Sequence, residues 1–95
     1  MPNDRIIVLS GRTNTCQDQT QQWLNNYDIP HDELHLPRED GNGEKDFELK
    51  ERWYNEYASK NFNIRLVIDD RLQVCRMWYR LGLPLMRVGN PDSDF

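Results

Sequence analysis

The strongest constraint on this chain is an alternation: short β-rich segments are separated by segments with helical spacing from end to end, without a repeat or an internal linker. Residues 5–10, RIIVLS, read as a first strand. Thr20, Trp23, Leu24 and Tyr27 then fall at i, i+3, i+4 and i+7, one apolar stripe of a helix that stops before Asp28-Ile29-Pro30. Residues 33–36, ELHL, make a weak second strand, residues 65–68 a third, and PLMRV at 84–88 a fourth. This order predicts a small α/β fold: a parallel, Rossmann-like sheet of about four strands, order 2-1-3-4, with three helices on its faces. At 95 residues, a single domain over 1–95 with one modest core is expected.

The second helix, from about residue 44 to 59, lines Phe47, Trp53, Tyr54 and Tyr57 along one side. At 100° per residue, Lys50 falls inside that stripe. A lysine there ordinarily runs its stem over the aromatic surface to water. The third helix, about 71–81, presents Val74, Met77, Trp78 and Leu81 at ideal spacing, with Gly82 where a left-handed residue ends a helix. PREDGNGEKD, between ELHL and the second helix, is an exposed loop expected near the working surface, and GNPDSDF reads as a tail.

A formal net charge of −4 argues against coating nucleic acid through bulk charge, while leaving room for a local phosphate pocket. No apolar run approaches the roughly 18 residues of a membrane span, and MPNDRIIVLSG lacks the features of a signal peptide. A soluble, cytoplasmic protein is expected. Cys16 and Cys75 stand far apart and read as reduced structural thiols. His31 and His35 bracket DEL beside Pro30 in a strand-like context, so they read as surface histidines rather than zinc ligands. Arg71, Arg76, Arg80 and Arg87 are spread among acidic neighbours, as on a solvated helix face.

In a parallel α/β sheet, ligands collect outside the carboxyl ends of the strands. Ser10-Gly11-Arg12 follows the first strand and Asp69-Asp70 ends the third, which would place a hydroxyl, a guanidinium and two carboxylates on one rim. Adjacent carboxylates repel. Their cheapest arrangement divides the work, one capping the helix that follows and one facing a cation such as Mg²⁺. Two carboxylates alone would hold Mg²⁺ weakly, because the ion gives up water reluctantly.

IIVLSGR, then Leu49-Lys50, then RLVIDDRLQVCRMWYRLGLPLMRV resemble, in order, the second, third and fourth motifs of the haloacid dehalogenase (HAD) superfamily of phosphotransferases. Within it, the chain most resembles the 3′-phosphatase domain of bacteriophage polynucleotide kinase/phosphatase. The IDDR phrase with its flanks, the spacing from Lys50 to Asp69, the Trp-bearing helix before strand three and the ending DF carry that likeness over residues 5–95. The resemblance implies a hydrolase that removes a phosphate monoester with Mg²⁺, on a ligand such as a nucleic-acid 3′ end. It implies that Ser10, with Gly11 beside it, donates to a phosphoryl oxygen and that Arg12 holds a substrate phosphate. Lys50 would neutralise the transition state and pair with the acidic cluster, and Asp69 with Asp70 would position the metal.

The nucleophile of that family, the first Asp of D-x-D-x-T, has no counterpart here. DGNGEKDF, PDSDF and HDELH do not end a hydrophobic strand followed by the required turn. In the family, that motif ends a central strand lying between those that here end at Ser10 and at Asp69. The expectation is therefore a truncated HAD-like domain whose nucleophile strand comes from another chain, and an exposed IIVL edge that invites a homodimer. The alternative is a non-catalytic descendant that holds a phosphate-bearing ligand or a protein partner.

Overall fold

The computed structural model describes residues 4–89. Beyond Gly89, the expected tail and its DF ending lie outside the described residues. No helix among them is long and apolar enough to cross a membrane. The chain divides into two compact units, Met1–Gly43 and Glu44–Phe95. The boundary falls within PREDGNGEKD, which has no aliphatic or aromatic side chain to tie its two ends into a common core.

In the first unit, β1 (Ile7–Leu9) and β2 (Glu33–His35) run parallel in the register Ile7↔Glu33, Val8↔Leu34, Leu9↔His35. Parallel neighbours need a crossover. It is made by a 3₁₀ turn at Asn14–Cys16 and by α1 (Gln17–Asn26). The helix stops through two reverse bonds, Asp28 N–H to Asn25 O at 3.2 Å and Ile29 N–H to Leu24 O at 3.0 Å. They require a left-handed residue, and Asp28 takes it with φ 53°. Aspartate tolerates that region better than most side chains. Of the expected stripe, only Thr20 and Leu24 are buried; Trp23 and Tyr27 are more than half exposed and rest on each other, ring centroids 4.9 Å apart. Spacing of i, i+4 identifies neighbours on a helix, but not which neighbours face the sheet.

In the second unit a helical run comprises α2 (Asp46–Trp53), a π turn (Tyr54–Ala58) and α3 (Ser59–Asn61). It is followed by β3 (Val67–Asp69), α4 (Leu72–Arg80) and β4 (Leu85–Arg87). β3 and β4 are parallel, with Val67↔Leu85, Ile68↔Met86 and Asp69↔Arg87 in register. Leu49, Ala58, Val74, Cys75, Met77 and Trp78 form the buried centre. Fully burying an aliphatic side chain of this size contributes roughly 1.5–3 kcal/mol. Val74, Met77 and Trp78 do lie on the inner face of α4, as their spacing predicts. Along β3 and β4 the pleat turns Leu66, Ile68, Met86 and Val88 outward, each 44–60% exposed.

Among the described residues the strands form two separate two-stranded sheets, β1-β2 and β3-β4, rather than one sheet in the order 2-1-3-4. Strands of three residues with apolar side chains on both faces carry little information about which edges meet. α4 closes as expected: Gly82 adopts φ 79°, with Gly82 N–H bonded to Tyr79 O and Leu83 N–H to Trp78 O. A Cβ added there meets nothing within 4 Å. Gly82→Ala is therefore expected to cost only the backbone penalty, about 1 kcal/mol, read as a lower urea midpoint at unchanged slope. A neutral substitution would show that the turn can leave the left-handed region.

Candidate functional site

Asp69 is the last residue of β3, and alternation along that strand turns it to the same side as Val67, toward α4. Its carboxylate is engaged on both oxygens. Oδ1 accepts the N–H of Asp70 at 2.8 Å and of Arg71 at 3.3 Å; Oδ2 accepts the Trp78 indole N–H at 3.2 Å and lies 3.6 Å from Lys50 Nζ. The Asp69 side chain is 11% exposed. Neither aspartate caps α4: its N-cap is Arg71, without a side-chain cap bond. The division of labour between the carboxylates is real but different from the expected one. Asp69 ties the strand end to the helix and to Lys50, and Asp70 faces solvent.

Lys50 does not reach water along the aromatic stripe. It is buried, with Nζ between Asp46 Oδ2 at 3.3 Å and Asp69 Oδ2 at 3.6 Å. Arg71 Nη1 approaches the same Asp46 oxygen at 3.5 Å, so two acids and two bases balance one another. Ions taken out of water need such compensation. Behind them Tyr54, the first residue of the π turn, packs edge-on against Trp78 with centroids 6.2 Å apart. Cys75 donates its S–H to the Asp69 carbonyl oxygen at 3.6 Å. Burial first, and the nearby Asp69 charge second, push the Cys75 thiol above its ordinary value. It is a packing thiol rather than a nucleophile. Both cysteines are free.

Ser10, Gly11 and Arg12 belong to the first unit and Lys50, Asp69 and Asp70 to the second. Just past β1, Ser10 N–H bonds His35 O at 3.0 Å while its Oγ accepts the Arg12 N–H at 3.2 Å. Arg38 grips the turn from the other side: its Nε donates to Gly11 O, its Nη1 to Asn42 O at 2.9 Å, and its own carbonyl accepts Asn14 N–H. Ser10 is half-buried and Arg12 is exposed, the Arg12 guanidinium lying 3.4 Å from Thr20 Oγ1. The two histidines have local partners. His31 bonds Gln21 and the Ile29 carbonyl, and His35 bonds Glu33, which holds the Glu33 carboxyl below its ordinary value with help from Arg5.

No three His, Cys, Asp or Glu side chains gather as a metal ligand set among the described residues. With both Asp69 oxygens engaged and Asp70 alone facing solvent, these side chains do not make a complete Mg²⁺ site by themselves. Sequence reasoning missed three contributors: Asp46, Trp78 as an N–H donor, and Arg38. Only Asp46 had a local signal, its i, i+4 spacing to Lys50. The partners of Trp78 and Arg38 exist only once strand ends and helices have come together.

The family model of the polynucleotide kinase PNKP phosphatase domain matches residues 1–95. A protein of Autographa californica nuclear polyhedrosis virus, named as a bifunctional polynucleotide kinase/RNA ligase, is 38% identical over 84 residues, covering 86% of this chain and 12% of the viral protein. Two solved structures of a Pnkp1/Rnl/Hen1 complex, one described as an RNA repair complex, contain a chain that is 33% identical. Each superposes with a TM-score of 0.85 over 94% of this chain, and over 31% and 29% of theirs. The chain thus spans about an eighth of the viral relative and under a third of the structural ones.

Proposed function

This chain belongs to the polynucleotide kinase PNKP phosphatase-domain family, and from that premise we propose that it supplies the supporting half of a site that hydrolyses a phosphate monoester at a nucleic-acid 3′ end. Both units are parts of one HAD-like domain in this reading. The strand bearing the nucleophilic aspartate comes from a partner chain or a second copy. Each residue has one task. Ser10 Oγ donates to a phosphoryl oxygen, and Arg12 holds a phosphate of the substrate. Lys50 offsets the negative charge that builds on phosphorus as the nucleophile attacks and the 3′ oxygen leaves. Asp69 holds Lys50 in place.

A weakly held Mg²⁺ would need Asp70, the substrate's own oxygens and ligands from the added strand. When bound, it would supply charge neutralisation at the phosphate. The observation that carries the reading is the ammonium of Lys50, buried at the carboxyl end of β3 and fixed by carboxylates from two elements. That solved relatives are assemblies of Pnkp1 with Rnl and Hen1 supports a partner chain. A second reading has its own observation: the Asp69 carboxylate is fully occupied and no D-x-D-x-T exists in the chain. It makes the protein a cytoplasmic, non-catalytic holder of a phosphate-bearing ligand or a protein partner.

The test is phosphate release from a 3′-phosphorylated oligonucleotide with Mg²⁺, by the chain alone and co-expressed with a segment carrying the D-x-D-x-T strand. We expect none from the chain alone. With the added strand we expect release that falls about 100-fold or more in Asp69→Asn. Binding of the phosphorylated end without release in any combination would support the second reading; neither binding nor release would overturn both.

A further inference from the structure

The second unit carries a feature that hydrolysis does not use. An open groove of about 520 Å³ is lined by Lys45, Phe47, Gln73, Arg76, Met77 and Arg80. Lys45 and Phe47 come from the start of α2, Gln73, Arg76 and Arg80 from the outer side of α4, and the buried Met77 forms its floor. Three of the six are cations and none is an acid, in a chain whose formal net charge is −4. Their states differ. Arg80 is locked in a two-point pair with Glu51, at 3.1 and 2.7 Å. Arg76 is exposed and makes no ion pair among the described residues. Lys45 is exposed too, and its ammonium stands over the Phe47 ring, 6.0 Å from the centroid, which keeps it at the groove rather than spread into solvent. Arg76 and Arg80 are one helical turn apart on α4, about 6 Å along the axis. Gln73 marks the end of the groove nearest the β3–α4 turn.

We propose that this groove holds the backbone of a single-stranded nucleic acid, with Lys45 and Arg76 as the phosphate contacts and the partly exposed Phe47 ring as the apolar surface beside the bases. Choosing nucleic acid over another polyanion rests on the function proposed above; the groove itself rests on charge and shape. Cations that meet phosphates beside an aromatic ring suit a strand whose every base has a flat apolar face. The groove binds without regard to sequence and without regard to a terminal phosphate.

The test is fluorescence anisotropy with a labelled single-stranded oligonucleotide ending in a 3′ hydroxyl, titrated at several salt concentrations. Lys45→Ala and Arg76→Ala should each weaken binding about 3- to 10-fold. Each should also flatten the dependence of log K on log salt by about 0.7, with unchanged melting temperature. Arg80→Ala, which removes a cation already paired, should change binding less than either. Wild-type affinity in the Lys45/Arg76 double variant would overturn the proposal. So would a polyglutamate peptide that competes as well as the oligonucleotide, since the occupant would then be an acidic protein segment. The hydroxyl-ended probe cannot be hydrolysed, so the two ideas fail separately. Binding that needs the groove with no phosphate release in any combination sinks the phosphatase reading alone. Release at unchanged KM by the double variant sinks the groove alone.

Discussion

Lys50→Met should remove about 3–5 kcal/mol of folding stability, a large share of the 5–15 kcal/mol that holds a typical domain together. Methionine keeps most of the stem's packing and deletes the charge, so the loss reports on the ions. With the ammonium gone, Asp46 still has the Arg71 guanidinium 3.5 Å away. Asp69 has no other ion pair among the described residues, and its side chain is 11% exposed. The uncompensated charge is therefore that of Asp69, and neutralising it should return much of the loss. In a double-mutant cycle by urea unfolding, Asp69→Asn with Lys50→Met should be clearly less destabilised than the sum of the single changes. Strict additivity, or a loss below about 1 kcal/mol for Lys50→Met, would mean that the ammonium behaves as a surface group.

Trp78→Ala is the second large effect, expected at about 3–5 kcal/mol. Trp78 is 4% exposed, packs edge-on with Tyr54, and spends its one polar group on Asp69 Oδ2. Truncation thus opens a cavity and removes a donor from a carboxylate that cannot recover water. Trp78→Phe separates the two effects. It keeps most of the apolar contact, loses the indole N–H, and should cost about 1–2 kcal/mol, because Lys50 still faces the same oxygen. Equal losses for the two variants would place the importance of Trp78 in the hydrogen bond rather than in packing.

Period placed Lys50 inside a helical stripe and Asp69 at a strand end but favoured a lysine that reaches water; that Lys50 pairs with the acidic cluster came only from the family resemblance. The same period of two along Val67, Ile68 and Asp69 also says that Asp69 and not Asp70 faces α4; treating the two aspartates as a single feature concealed it. Asp46 was readable from its spacing to Lys50 but sits at the close of a charged loop, where acids usually mean solvent. Trp23 and Tyr27 show the opposite failure. Their spacing is that of a buried stripe, yet Thr20 and Leu24 alone are covered. Strand partners were the least legible, since residues 7–9 and 67–69 are apolar enough to be an edge or a centre. The family resemblance rested on IDDR and its flanks, a phrase specific because it joins a strand end, a turn and an amphipathic helix in one stretch.

The π turn at Tyr54–Ala58 has a consequence for how this chain is compared with others. A π turn holds one residue more than the α turn it replaces, so the angular phase of everything beyond it is offset by about 100°. Lys50 and Trp53 precede the offset and keep their places. Tyr57 falls within it and ends 37% exposed although its spacing matches the stripe. Relatives that lack the turn should be one residue shorter here, and the gap in an alignment belongs between positions 54 and 58. A gap placed before position 50 would move Lys50 out of line with the residues that correspond to it.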